Sequence, residues 1–432
     1  MEASIALKEG EVLRIVGPAR VEVIEGEVLL VGAILRKGES AVIHRFRSYA
    51  LKALSNSSLK ITLGSDASVE RPSEGEEVID AWVEVVRGIA ADAVMPKKIL
   101  ILGPVESGKT TFAAFLANWL LREGTDVCLV EADIGQEDVA VPTVVALARP
   151  TKPFIWQREI MFETVRFVGC ISPTHCQHQL LGALLDTLLT AERSGCGAIV
   201  INTDGWVGSR QALDFKASLA RWSRPSHIVV LDRRLYEVIR NSFGKLAKVT
   251  YAPPPVKVRE RSREERRSLR KDAYRRYFST AKVRHVSLNE VSVIGSSILS
   301  GAEVGMEEVR RLCNALPNDL LQCAVKATLY GQCLNIIVRE DCRVQATQLC
   351  EVGDSKLIVN IIKPADLKGY LVSLLDENLN DVGLGVVEDF DPSTMVLKIL
   401  TPYAGKVLGL MFSRVRLSED YEDSCRVLRC HP

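Results

Sequence analysis

No two cysteines in this 432-residue chain are spaced C-x-x-C. That removes zinc ribbons and thioredoxin-type redox sites from consideration. No apolar run reaches the length of a membrane-spanning helix, and the opening Met-Glu-Ala-Ser-Ile has neither the basic nor the apolar part of a secretory signal. Neither sign of charge is in excess: 55 Lys and Arg stand against 54 Asp and Glu, a net of +1. There is no global field to hold a polyanion, so any contact with nucleic acid must come from a local patch. No internal repeat is present. The chain reads as soluble and cytoplasmic, with no membrane partner.

What is present begins with ordinary globular composition, 47% hydrophobic and 25% charged, in a length that suits two to four domains. The eleven cysteines are many for such a chain. They are read as small buried hydrophobes, with intracellular disulfides as the alternative. Cys425 and Cys430 are the first pair to test.

The chain divides by pattern into three regions. Residues 1–77 carry short alternating or apolar runs (11–16, 20–24, 27–32, 40–44, 58–64) punctuated by Gly17-Pro18, Gly26, Gly38 and Asn56, the pattern of a small sandwich or barrel. The acidic stretch 69–77, with Pro72 and Gly75, reads as a linker. Residues 78–284 alternate strand and helix patterns, which implies an α/β fold with a parallel sheet covered on both faces. Residues 285–432 are again β-rich, with strands expected at 329–338, 356–362, 369–375, 383–387, 395–400 and 407–412 and a helix at 303–315. Nothing in that last region looks catalytic.

The central region holds the most specific stretch, Gly103-Pro-Val-Glu-Ser-Gly-Lys-Thr-Thr111, a complete G-x-x-x-x-G-K-[ST]. A short apolar run, 98–102, precedes it, and an Ala- and Leu-rich run ending at Gly124 follows. A strand, a glycine turn and a helix N-terminus are thereby placed in the order that phosphate binding needs. Gly103, Glu106, Ser107, Gly108, Lys109, Thr110 and Thr111 are the expected ATP contacts. Lys109 would reach the β- and γ-phosphates, and Thr110 would hold Mg²⁺.

Three more polar clusters fall where parallel strands end, which is where ligands lie in such sheets. They are Asp133-Ile-Gly-Gln136, Ser172-Pro-Thr174-His175 and Asn202-Thr-Asp-Gly-Trp206. Asp133 closes an apolar strand, a position suited to Mg²⁺ or to handling a nucleophile. Downstream, residues 257–284 carry twelve Lys and Arg against four acids. Arg266 and Arg270 are four apart and share one helical face. One-signed charge after a phosphate-binding domain reads as a lid over the donor phosphates.

Taken together, the four clusters and the Arg-rich block ending Tyr277-Phe278 resemble the polynucleotide 5′-hydroxyl kinases of RNA processing. That family includes a subunit of the eukaryotic pre-mRNA 3′-end cleavage machinery, and the chain looks most like an archaeal member. The resemblance covers nearly the whole length. It implies a P-loop NTPase domain between two small β domains, with ATP and Mg²⁺ as cofactors, 5′-hydroxyl RNA ends (and DNA ends as a further class) as acceptor, and RNA-processing proteins as partners. Asp133 would deprotonate or orient the acceptor hydroxyl. Gln136 would hold the acceptor nucleotide, Ser172 and Trp206 would form a clasp with the indole stacking on a base, and Thr174 and His175 would be further nucleic-acid contacts. Arg266 and Arg270 would reach the ATP phosphates, with Arg267 close by. One departure is Glu137, where the family pattern has glycine. It adds a negative charge beside the expected acceptor path.

The chemistry is coherent on these residues. Phosphoryl transfer needs positioning and charge neutralisation more than covalent help, and a hydroxyl acceptor needs a carboxylate within reach. Asp133 is the acid placed for that, and an exposed Trp206 suits base stacking, worth ~1–3 kcal/mol per base. The leading reading is an ATP-dependent 5′-hydroxyl kinase. The alternatives are a catalytically silent ATP-bound scaffold of an RNA-processing complex and an NTPase that uses water.

Overall fold

The computed structural model describes residues 1–313, 316–343, 348–352 and 355–425. They fall into two compact units: Met1–Arg166 with Ser172–Leu269, and Phe167–Ile171 with Arg270–Pro432.

The first unit opens with nine short strands in two antiparallel sheets. One sheet runs Glu2–Leu7, Ser57–Leu63, Ala19–Glu25, Ser40–Ile43, and the other Ala33–Arg36, Glu27–Leu30, Ser48–Ala53, Val12–Val16, Ser68–Glu70. Alternation produces this: Val21, Val23, Leu59 and Ile61 are buried while the residues between them are not. The expected linker at 69–77 is partly structure. Ser68–Glu70 pairs with Val12–Val16, and Glu77 ends on Arg14 at 2.6 Å.

A helix, α1 (Ile79–Ala90), leads into the P-loop strand β1 (Lys97–Leu102) and then α2 (Lys109–Arg122). The following elements are β2 (Val127–Ala132), β3 (Val144–Ala148), β4 (Phe162–Phe167), α3 (Gln177–Arg193), β5 (Ala198–Thr203), α4 (Arg210–Ser223), β6 (His227–Val230), α5 (Arg233–Phe243), β7 (Lys248–Tyr251) and α6 (Arg263–Tyr277). The sheet order is β4-β3-β2-β5-β1-β6-β7. Strands β2, β5, β1, β6 and β7 are parallel, as expected. β3 is not: it runs antiparallel to β2, with Leu129 opposite Ala148. A parallel neighbour would have needed a crossover helix, and only residues 133–143 separate the two strands.

Helix α2 is covered almost all round, with Phe112 to Leu120 buried. Its one interior amide, Asn118, is fully satisfied. Its Nδ2 donates to the carbonyls of Val31 (2.8 Å) and Phe154 (2.7 Å), and its Oδ1 accepts from Phe154 N–H at 3.1 Å. Asn118 thereby pins the N-terminal sheets to the P-loop helix. A second tie is ionic: Asp138 pairs with Arg47 from the N-terminal sheets and with Arg158 at 3.4 Å.

The second unit is β-rich with two sheets, and α6 continues into it from residue 270. The strand expected at 329–338 is a hairpin, Ala324–Tyr330 with Cys333–Val338, turning at Gly331 (φ 58°). The helix expected at 303–315 is Met306–Leu312, with Glu303 in a strand and residue 315 outside the described residues.

Among the described residues six cysteines are disulfide-bonded, Cys313 and Cys333 besides the two pairs that follow, which replaces the buried-thiol reading for them. Cys128 and Cys196 tie the start of β2 to the start of β5, and Cys323 pairs with Cys342. Closing the 68-residue separation of the first pair stabilises by ~4 kcal/mol on the chain-entropy account. Cys425 is a free thiol, and Cys430 lies outside the described residues.

Candidate active site

The glycine turn after β1 forms because Gly108 takes φ +92°, a conformation that side chains resist. Helix α2 starts directly after it. Lys109 is buried at 6% exposure, and its Nζ donates to the Pro104 carbonyl at 2.7 Å, across the loop. Ser107 Oγ donates to the same carbonyl at 3.0 Å. Burial pulls the Lys109 ammonium down to about 8, against the pull of Asp133 in the other direction.

Asp133 begins the turn after β2. Its Oδ1 accepts from the N–H groups of Gly135 (3.2 Å) and Gln136 (3.1 Å). Burial and the charge of Asp204 raise its carboxyl above the usual range, while Lys109 and those two N–H groups oppose the rise. The structure thus brings Lys109, Thr110, Asp133 and Gln136 to one corner of the sheet.

Residues that the sequence reading did not single out hold this corner together. Glu131 is fully buried. Both its carboxyl oxygens accept from Asn202 Nδ2 (2.9 and 2.8 Å), and Oε1 also accepts from Asp133 N–H at 3.0 Å. Asn202 Nδ2 lies 3.2 Å from Thr110 Oγ1 and donates to it. A chain therefore runs from Glu131 through Asn202 to the hydroxyl expected to hold Mg²⁺. Burial and Asp133 push the Glu131 carboxyl well above the usual range. Asp133 is accordingly not alone as an acid here: Glu131 and Asp204 stand beside it. The signal for Glu131 was a lone charge inside the apolar run V-C-L-V-E-A.

The Asn202–Trp206 tip is built residue by residue. Thr203 Oγ1 donates to Ile101 O at 2.8 Å. Asp204 Oδ1 accepts from Trp206 N–H at 2.8 Å, and Lys216 Nζ donates to Asp204 Oδ2 at 2.7 Å. Gly205 has no room for a side chain, because its Cβ would stand 2.5 Å from Val105 N. Trp206 was expected to be exposed. It is half-buried, leaning on Phe215 with centroids 6.2 Å apart.

Glu137 does not face an acceptor path. It is buried at 2% exposure, its Oε1 takes the N–H groups of Val139 (2.5 Å) and Ala140 (2.7 Å), and burial and Glu131 push its carboxyl up. The carboxyl is turned inward, away from solvent. Ser172, Thr174 and His175 sit on a short 3₁₀ turn, Pro173–His175, ahead of α3. There the Ser172 and Thr174 hydroxyls are 3.0 Å apart, and all three residues are exposed.

Of the basic block, Arg266 reaches the P-loop. Glu106 Oε1 accepts from Arg261 N–H at 2.8 Å and lies 3.7 Å from Arg266 Nη2. Glu106 thus faces the lid residues as well as the loop. Arg267 is exposed on the same helix. Arg270 is placed otherwise: its Nε donates to Asp423 at 3.1 Å inside the second unit. Gly103 and Thr111 stand at the two ends of the loop as read.

The hard oxygen donors here, the Thr110 hydroxyl and the Asp133 carboxyl, suit Mg²⁺. Among the described residues no group of three or more His, Cys, Asp or Glu could cage a metal.

Fold and site together define a P-loop nucleoside-triphosphate domain of α/β class. Residues 103–280 match the family model described as mRNA cleavage and polyadenylation factor CLP1 P-loop. The chain is 29% identical over 343 residues to the polyribonucleotide 5′-hydroxyl-kinase of Methanocaldococcus jannaschii, covering 77% of this chain and 90% of that protein. Against the Pyrococcus furiosus protein of the same description it is 28% identical over 340 residues, with 76% and 90% covered. The polyribonucleotide 5′-hydroxyl-kinase Clp1 of Danio rerio is 30% identical over 197 residues, 42% of this chain and 43% of that one. A solved Clp1p–Pcf11p complex superposes with a TM-score of 0.66 over 96% of this chain and 98% of that one, at 12% identity. At that identity the likeness is one of fold. The resemblance read from the sequence is therefore borne out.

Proposed function

We propose that this chain is an ATP- and Mg²⁺-dependent kinase that transfers the γ-phosphate to the 5′-hydroxyl end of RNA, with DNA ends as a second acceptor class. The observation that carries the reading is a buried P-loop lysine, Lys109, within electrostatic reach of the raised Asp133 carboxyl at the end of β2 in the same sheet. A plain NTPase has no need of an acceptor-side tryptophan tip beside them.

In this reading the backbone N–H groups of 103–111 and Lys109 hold the triphosphate. Thr110, set by Asn202 and Glu131, would hold Mg²⁺, which neutralises charge on the phosphates when bound. Asp133 takes or orients the 5′-hydroxyl proton, and its raised pKa brings it nearer the working pH of a general base. Trp206 stacks on the acceptor base, Gln136 holds its nucleotide, and the exposed Ser172, Thr174 and His175 lie along the strand. Arg266 spreads over the γ-phosphoryl oxygens, with Arg267 drawn from the same helix. The three sequence regions 1–77, 78–284 and 285–432 are the working domains, and the chain acts in the cytoplasm with RNA-processing proteins.

The test is transfer from γ-labelled ATP to 5′-hydroxyl oligonucleotides, RNA and DNA, single- and double-stranded. Label on RNA that is lost in Lys109→Ala and Asp133→Asn supports the kinase. ATP that co-purifies and is neither transferred nor hydrolysed supports the scaffold instead.

A further inference from the structure

We infer that Asp204 and Lys216 are the positioning pair that sets Trp206 for the acceptor base; the inference rests on the reading of Trp206 given above. Lys216 has no exposed surface and Asp204 has 4%, so neither touches substrate. Lys216 Nζ donates twice to the same residue, to Asp204 Oδ2 at 2.7 Å and to the Asp204 carbonyl at 3.1 Å. The other carboxylate oxygen of Asp204 accepts the Trp206 N–H at 2.8 Å. The residue before Lys216 on α4 is Phe215, against which the Trp206 indole leans. Adjacent positions on one helix therefore fix the tryptophan twice, its backbone through Asp204 and its ring through Phe215.

The tip has little freedom left. Thr203 is tied to Ile101 of the P-loop strand, and Gly205 is pressed on the backbone of Val105 in the P-loop. A buried ion pair is poor glue: apolar side chains of equal volume usually hold as well. What this pair supplies is an oriented acceptor oxygen at Asp204 and a charge that keeps it in place. Lys216 stands on the apolar face of α4 with Ala212, Phe215, Leu219 and Ala220. No packing argument places a lysine there.

Two double variants isolate the role. D204N/K216M and D204A/K216M both remove the charge pair, so neither leaves a lone buried charge. They differ in the oxygen offered to Trp206 N–H. The full chain is labelled with 5-fluorotryptophan, and the Trp206 resonance among the five tryptophans is assigned with Trp206→Phe. The expected result is a Trp206 resonance partly displaced in D204N/K216M, which keeps the oxygen but loses its Lys216 anchor, and displaced further in D204A/K216M. The acceptor KM should stay within threefold of wild type in D204N/K216M and rise at least tenfold in D204A/K216M, while the KM for ATP moves less than twofold in both. Equal resonances and equal acceptor KM in the two variants overturn the inference, as does a rise in both substrate KM values together. If the wild type transfers no phosphate to any 5′-hydroxyl end, the kinase reading falls, and the resonance alone still decides whether the pair holds Trp206.

Discussion

The two sides of the candidate cleft are made in different ways. On the donor side the ligand groups are mostly backbone: a glycine turn, a helix start and one lysine. On the acceptor side they are side chains held by other side chains, with Glu131 taking the Asp133 N–H and Lys216 acting through Asp204 on Trp206. Backbone geometry is dictated by residue type at fixed spacing, so it survives almost any neighbour. A relay of buried polar groups works only when every member is satisfied. The donor side should therefore fail by loss of one group, and the acceptor side by loss of alignment.

The largest effect separates the two. Lys109→Met should lower the transfer rate by about 10³-fold or more, since it removes the charge facing the transferred phosphoryl group, and leave the melting temperature within a few degrees. Rates with saturating RNA and thermal unfolding check it. A large loss of stability would place Lys109 in the fold instead.

The next breaks the relay. Glu131→Ala removes the Asp133 N–H acceptor and leaves Asn202 Nδ2 only its bond to Thr110 Oγ1, at about 2 kcal/mol of stability. Glu131→Gln should lose less than Glu131→Ala, because burial and Asp133 raise the Glu131 carboxyl well above the usual range and the amide keeps one acceptor oxygen. Urea unfolding of both variants decides. An equal loss in both would mean that the carboxylate charge is what the site uses.

The same contrast governed what could be read from residues alone. Gly103 to Thr111 was legible because its spacing is the mechanism. The strands β1, β2, β5 and β6 were legible because parallel buried strands are continuous apolar runs. Glu131 and Lys216 were not read, though each is a charge inside an apolar pattern. A pattern marks such a residue as odd, and its partner is a hundred ångström-scale choices away in the fold: Asn202 lies 71 residues from Glu131. Trp206 was expected to be exposed because a polar strand tip points to solvent, and Phe215, on a helix not foreseen, covers it in part. Glu137 was read as a charge beside the acceptor, and two local N–H groups turned it inward. Residues 133–143 were too short for a crossover, which is the one sequence fact that could have flagged the antiparallel β3.

A pH experiment sharpens the donor side. Burial lowers Lys109 to about 8, so without ligand its ammonium is lost as pH rises through about 8. A bound triphosphate favours the charged form. ATP should therefore bind with proton uptake near pH 8, and its Kd should rise by up to about tenfold per pH unit above that point. Lys109→Met should show a weaker but flat profile between pH 7 and 9. Calorimetric titration in two buffers of different ionisation enthalpy measures the uptake directly. No uptake in the wild type would mean that Lys109 keeps its proton throughout.

The smallest effect lies where the lid meets the loop. Glu106 is an acid inside a phosphate-binding turn, where it repels the ligand that the turn is built to hold. Its carboxylate takes the Arg261 N–H and faces Arg266, so the triphosphate must compete with it for that guanidinium. The pair is partly solvated, with 34% and 12% side-chain exposure, and such pairs contribute at most about 1 kcal/mol. Glu106→Gln keeps an oxygen for Arg261 N–H and removes the charge. If Glu106 only competes, ATP should bind up to about fivefold tighter in Glu106→Gln, with the acceptor KM unchanged. If Glu106 instead holds Arg266 over the loop in readiness, affinity should fall by a similar factor and the rate with it. The sign of that change tells whether the lid arginine is restrained or prepared by the loop it covers. Salt strengthens the decision: the shift should shrink as ionic strength rises through about 0.15 M, whereas an effect on loop geometry would not.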